Sequence, residues 1–387
     1  MTVHHIAPSV PLASLTLRTA LINGHPFVNV QDSKHGAKTS RNQILSGARL
    51  LSISCQVVLY SQLYEIAHEE GGPLMVQDVE RLDRQDDRAA ARLLSSAVLA
   101  HLALQHPEWI GLGSYLFVMG GLFEAWQNRT IGHEERLRLV FRACYFLVIW
   151  REHVNRHPYH THSIHFLSQE SFDILTIICE SFIKLLRSYC DLYPDHPFVP
   201  WLHSTEPNEH LYGVARMIKT DFTYLDFIQL VPKMGAIYLG AFGHSLAEAK
   251  SNVTTSGYQH TYFKCDNINL KALCQFPCDD TISLLAITGW LEAMQLLKAC
   301  GLHDPDSYAP TSPTSFEIDE DSVDFLVNEE VPVKLFRQSA LLSMIRDVEN
   351  EAASGDATAL FSPEESCEIQ KLSYSQLGST LGSGQEM

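Results

Sequence analysis

Hydrophobic positions recur at helical spacing through most of this chain, and the breaks between the periodic runs fall at proline, glycine and capping residues. One early stretch reads otherwise. "HPFVNVQDSKH" predicts a strand over residues 27–31, with Phe27, Val28 and Val30 ending at Asp32. "SRNQILSGARLLSISCQVVLYSQLYEIAHEE" then predicts one helix, broken at Gly71-Gly72-Pro73. "DRAAARLLSSAVLAHLALQH" predicts a helix ending at Pro107, and "LGSYLFVMGGLFEAWQNR" a second, almost wholly apolar one. "HEERLRLVFRACYFLVIWREHV" should stop before His157-Pro158, and "SQESFDILTIICESFIKLLRSYCDLY", capped by Ser168, should stop at Pro194. Further helices follow at "HSTEPNEHLYGVARMIK", "DFTYLDFIQLVPKMGAIYLGAF" and "TISLLAITGWLEAMQLLKACG". The helices of residues 88–192 are expected to bundle through Leu94, Val98, Leu116, Leu122, Leu139, Phe146, Ile174, Ile178 and Leu185.

In "HSTEPNEHLYGVAR", Ser204, Thr205 or Glu206 can cap and Pro207 suits the first turn. Glu209 can close a capping box, or it can be a carboxylate delivered to a metal. Glu209, Gly213 and Arg216 share one helix face, and a glycine there is explicable if a backbone or ligand approaches that face.

The 387 residues, 45% of them hydrophobic, suffice for one or two domains. Charge changes the picture of the C-terminus only. Of the formal −17, most lies beyond His303, where 17 acids face Lys334, Arg337, Arg346 and Lys371, leaving a nearly neutral body. Residues 304–387 are thus expected to be an acidic, largely disordered tail. An acidic tail does not exclude a basic groove elsewhere. Nine scattered cysteines, several inside apolar runs, read as reduced thiols of an intracellular protein. No membrane partner is expected, since the apolar runs fall short of about 18 uncharged residues.

The histidine-rich "HVNRHPYHTHSIHF" reads as a polar connecting loop. His260, Cys265, Cys274 and Cys278 lack the paired spacing that makes a zinc site specific, and whether they bind a metal stays open. Phosphate-binding glycine loops and the nucleophile elbow are absent. "VQDSKHGAKTSRN" is more specific. It sets an acid and a histidine three apart, followed by Lys34, Lys38 and Arg41, whose charges suit phosphates.

Asp32-Ser33-Lys34-His35 with Lys38 and Arg41-Asn42 resembles the D-x-x-H…K…RN segment of P-element/THAP-type cut-and-paste DNA transposases. "RQDDRAAARLLSSAVLAHL", "GGLFEAWQNR", "HEERLRLVFRACYFL" and "HSTEPNEHLYGVAR" resemble later motifs of that family, in the same order from about residue 26 to about 235. The resemblance implies a mainly α chain: a remnant of a ribonuclease-H-like α/β core and a helical bundle as insertion. It divides the chain into a partial core over 1–78, the bundle over 79–200, a returning helix and C-terminal helices over 201–303, and the tail. It places a metal-ligating, catalytic glutamate on Glu209, with Glu206, Asp32, His35 and Arg216 as supporting residues and Lys34, Lys38 and Arg41 toward DNA. It also implies Mg²⁺, held in such sites as a pair of ions by several carboxylates. The two early aspartates of that site have no counterpart here, so weak metal binding and no DNA cleavage are expected. The resemblance further implies a nuclear protein, with DNA, a protein partner or a second copy as partner. A non-enzymatic helical scaffold for protein or DNA is the competing reading.

Overall fold

The computed structural model describes residues 2–10, 13–80, 83–243, 268–303 and 314–315. Its N-terminal part is an antiparallel meander: β1 (Thr2–Ile6), β2 (Leu15–Ile22) and β3 (His25–Phe27). β1 pairs with β2 from Thr2↔Thr19 to Ile6↔Leu15, and β2 with β3 from Ala20↔Phe27 to Ile22↔His25. Leu15, Leu17 and Thr19 alternate inward along β2, as a half-buried strand requires. The β2–β3 turn uses Asn23-Gly24, both at positive φ (52° and 82°), the pair that two-residue hairpins favour. The strand expected over 27–31 is corrected accordingly. Only Phe27 belongs to a strand, and it is exposed, while residues 28–31 run on without pairing.

Helix α1 (Ser33–Leu45) follows. The single helix expected from Ser40 to Glu70 is instead α1, a hairpin of β4 (Leu51–Ile53) and β5 (Gln56–Val58), and α2 (Tyr60–His68). Ser54 takes positive φ at the hairpin turn, and Leu51, Ile53 and Val58 are buried. The indole N–H of Trp150 donates to the Ser52 carbonyl at 2.7 Å, so the hairpin is held by a tertiary bond that no local pattern reveals. Beyond α3 (Val76–Glu80), the "DRAAARLLSSAVLAHLALQ" run splits into α4 (Asp87–Leu93) and α5 (Ser96–Gln105). Asp86 caps the first and Ser95 the second, through side-chain oxygens accepting from backbone N–H groups.

The bundle itself is as expected from periodicity. Its members are α6 (Ile110–Gln127), α7 (His133–Arg156), the short α8 (His162–His165) and α9 (Gln169–Leu192), capped by Ser168. α6 is apolar on all sides and buried on all sides. All nine of the expected bundle residues belong to or pack on one core, which runs from Ile6 to Leu302. α10 (Glu206–Ile218) and α11 (Tyr224–Gly243) form a separate apolar cluster around Ala215, Leu230 and Met234. α12 (Asp279–Ala299) returns along α7, burying Ile282, Ala286, Gly289, Ala293 and Leu297. By length and composition α12 could cross a membrane. In this fold a third of its most apolar stretch is buried, against the bundle. Among the described residues of the acidic tail, Thr314–Ser315 (β6) pairs parallel with the start of β2; the rest of the tail lies outside them.

Two glycines permit close helix approaches. A Cβ on Gly36 would stand 2.4 Å from Cδ1 of Ile178 and 2.9 Å from the Phe123 ring. A Cβ on Gly289 would stand 2.7 Å from the backbone nitrogen of Arg142. Both substitutions to alanine overpack the core, at a cost on the order of 1–3 kcal/mol. Gly289→Ala should cost more than Gly36→Ala in urea unfolding, because a side-chain tip can rotate away and a helix backbone cannot. Ile178→Val should recover part of the Gly36→Ala loss. Equal losses for the two glycines, or no recovery, would contradict this packing.

Candidate functional site

The motif-bearing segments, far apart in sequence, meet around α6. Asp32 caps α1, its Oδ1 accepting from the Lys34 N–H at 2.9 Å, while its Oδ2 lies 2.7 Å from Nδ1 of His35. Asp32 is buried and His35 half-buried. The acid expected at a strand end is thus the first residue of a helix signal. Gly36, one position on, seats α1 against Phe123 and Ile178, and Ser40 accepts from the hydroxyl of Tyr115 through its carbonyl at 2.9 Å.

The basic residues of this segment face protein. Lys38 is buried and pairs with Asp87 at 2.9 Å. Arg41, also buried, donates to the carbonyls of Asp83 and Asp78, each at 2.9 Å. The Asp78 carboxylate is itself held by Arg92, in a two-pronged pair at 2.5 and 2.9 Å. This corrects the expectation of Lys38 and Arg41 as open phosphate ligands: their charges are spent on fastening α1 to the α3–α4 connection. Lys34 is half-buried.

At the other end of α6 stands "FEAWQNR". Glu124 is buried and accepts from the Asn128 side chain at 2.9 Å; burial pushes its pKa up to about 7. Arg136, the arginine of "HEERL", reaches back to the last carbonyls of α6, those of Ala125 at 2.5 Å and of Asn128. The guanidinium groups of Arg129 and Arg136 each lie 5.5 Å from the ring of Trp201. Trp201 sits in the short 3₁₀ turn Pro200–Leu202 that leads into α10. Buried Ser204 and Thr205 then deliver the chain to Glu206 and the start of α10.

α10 begins where the sequence places it, with Pro207 in its first turn. The side chains of Glu206 and Glu209 lie outside the described residues. The face they were expected to share looks outward further along: Arg216 is exposed, and among the described residues a Cβ on Gly213 would meet nothing within 4 Å. Among the described residues, no backbone approaches Gly213. A two-metal Mg²⁺ site does not fit the described donors. Asp32 is committed to its cap and to His35, and β1, β2 and β3 carry no carboxylate. No step through such ions follows from these residues.

In the histidine run, rings of His157 and His160 stack at 3.9 Å and those of His160 and His165 at 4.7 Å. His153 is buried, and desolvation holds its pKa down at about 4. Cys274 is half-buried, its thiol near the carbonyls of Leu270 and Asp195, and Cys278 is exposed; His260 and Cys265 lie outside the described residues. A cluster that sequence reasoning missed joins Glu69, His101 and His106. Its histidines are five apart, one on α5 and one at its C-cap, and its glutamate is 32 positions upstream of His101, a spacing that matches no ligand motif. No known protein family, curated protein or solved structure matches the chain.

The raised pKa of Glu124 has a thermodynamic sign. The folded state binds its proton at a pH where the unfolded chain, with a carboxyl pKa of about 4.3, has released it. This contribution is present in acid and is lost as pH rises toward 7. Glu124→Gln, which keeps an uncharged group of the same shape, should remove that dependence. The stability of wild type relative to the variant should therefore grow as pH falls from about 7.5 to about 5 in urea titrations. A gap that stays constant across that range would refute the assignment.

Proposed function

We propose that this chain is a transposase-derived helical protein that does not cleave or join DNA by itself. The supporting observation is the convergence of its motif segments. Asp32-His35 with Gly36, Glu124-Asn128-Arg129, Arg136 and the turn before Glu206 all pack on or beside α6, although the sequence separates them by up to about 170 positions. Inactivity follows from the commitments of the charged groups: a carboxylate that caps a helix and pairs with a histidine, and cations paired with Asp87 or donating to backbone carbonyls, are not a two-metal or phosphate site.

What such a protein would retain is a scaffold role, with DNA or a protein as partner in the nucleus. The α10–α11 pair favours this. Tyr212, Met217, Leu225, Ile228, Val231 and Ile237 are exposed on two helices whose shared core is small, and clustered exposed apolar side chains mark interaction surfaces.

The test is a cleavage and strand-transfer assay with the full chain, supercoiled plasmid and either Mg²⁺ or Mn²⁺. Wild type and Glu209→Gln should both leave the plasmid intact. Metal-dependent nicking by wild type that disappears in Glu209→Gln would overturn the proposal and make Glu209 a catalytic residue.

A further inference from the structure

We propose that Glu69, His101 and His106 form a binding site for a zinc-like divalent transition-metal ion, independent of the transposase reading. Each residue offers one ligand atom, and the three atoms lie within 4.8 Å of one another. The two carboxylate oxygens of Glu69 reach the two imidazoles separately, Oε2 to Nε2 of His101 at 2.5 Å and Oε1 to Nε2 of His106 at 2.6 Å. Two imidazoles and one carboxylate are a donor set that zinc takes with its fourth position open. At bond lengths of about 2.0–2.2 Å, tetrahedral ligands stand roughly 3.4 Å from one another. The ion would therefore need the two present contacts to open by less than an ångström and the imidazole nitrogens, no more than 4.8 Å apart, to stand at that same spacing.

A bare carboxylate clamped by two histidines is the competing explanation, and three features favour the metal. The first is the outer partner of His106. Its Nδ1 lies 3.6 Å from the Glu108 carboxylate, on the side away from Glu69. That is the position of the outer partner in the carboxylate–histidine–metal chains that usually support zinc ligands. The second is rigidity. The His106 ring stacks on Trp109 at 3.8 Å with 8° between planes, and Pro107 lies between them in sequence. The third is backbone placement: Glu69 closes α2 and His106 closes α5, each as a C-cap residue whose N–H is bonded within its helix. After Glu69 the chain turns sharply, with Gly71 at φ +75° and no room for a side chain on Gly72, whose Cβ would lie 2.3 Å from the Ile66 carbonyl. The ligands are thus pre-organised on rigid ends rather than carried on a mobile loop.

All three ligands are half-buried, so a water molecule can complete the tetrahedron. The bound ion would staple the end of α2 to α5, in place of the two hydrogen bonds that join them without it. Binding requires both Nε2 atoms unprotonated, so each imidazole coordinates as its Nδ1–H tautomer while the Glu69 carboxylate stays ionised.

The experiment uses the full chain stripped with EDTA. Titration with Co²⁺ should produce tetrahedral d–d absorption at one equivalent, and Zn²⁺ should abolish it. Zinc X-ray absorption of the wild-type protein should show two imidazoles with oxygen and no sulfur. Glu69→Gln and His106→Gln should weaken zinc binding at least 10-fold, and Glu108→Gln about 10–100-fold as an outer partner. His160→Gln, in the exposed histidine stack, should leave it unchanged. The proposal is overturned if wild type takes up no zinc, if sulfur appears in the absorption spectrum, or if His160→Gln abolishes binding while Glu69→Gln does not. The spectrum of the wild-type protein decides the matter even if a ligand variant fails to fold.

Discussion

Two guanidinium groups inside the bundle set its geometry. Arg136 and Arg142 lie on α7 with almost no exposure, where an unpaired charge would cost several kcal/mol. Desolvation pulls their pKa values down, to about 9 and about 10, yet leaves both charged near neutral pH. Arg136 is accommodated by the carbonyls of Ala125 and Asn128, which carry the negative end of the α6 dipole. Arg142 lies 3.3 Å from Glu292 of α12 and 3.9 Å over the Phe117 ring of α6. Gly121 and Gly289 leave the room it needs, since a Cβ on Gly121 would meet its Nη2 at 2.4 Å. The contacts of Arg136 require α6 and α7 to hold one relative register, and those of Arg142 require α12 to join them.

That register carries the rest of the fold. With α6 fixed, Phe123 and Ile178 present the slot into which Gly36 fits, and α1 is seated with Asp32 at its head. With α7 fixed, Trp150 bonds the β4–β5 hairpin, and the turn at Cys55 meets Gly301 just beyond α12, where the Cys55 N–H donates to the Cys300 carbonyl at 3.2 Å. With the end of α6 fixed, Trp201 docks against Arg129 and Arg136 and sets where α10 starts. The candidate site is therefore an outgrowth of the charge burial and not an addition to it.

The parts legible in the sequence are those whose physics is local. α6, α7 and α9 could be read because their apolar residues cover enough of the helix to demand burial, and because Ser168, Pro107 and Pro158 mark their limits. The break at Leu94-Ser95 and the cap on Asp86 carry local signals too, but the helical run around them is stronger than either. The β2–β3 hairpin was equally local, in the alternation of Leu15, Leu17 and Thr19 and in Asn23-Gly24, yet short strands are outweighed by the helical periodicity that follows. The β4–β5 hairpin was not legible. "LLSISCQVV" suits either element, and the choice is made by Trp150, nearly a hundred positions away. In the site, the aspartate and histidine three apart could be found from spacing, while the burial of Lys38 and Arg41 could not, because their partners lie on α3, α4 and the connection between them.

The two acid–histidine arrangements in this molecule show why residue type alone decides so little. Asp32 and His35 come from one turn of one helix, and the second oxygen of the carboxylate already serves the backbone as a cap. Such a pair needs nothing beyond the geometry of one helix start to bring its members together. Glu69 receives imidazoles from two points of α5, and one of those imidazoles carries a carboxylate on its far side. There the donors converge from separate segments onto a common point, which local helix stability does not require. Convergence of that kind is set by the fold, through the ends of α2 and α5, and is therefore invisible to any reading of spacing. It separates an arrangement that stabilises a helix from one able to hold an ion.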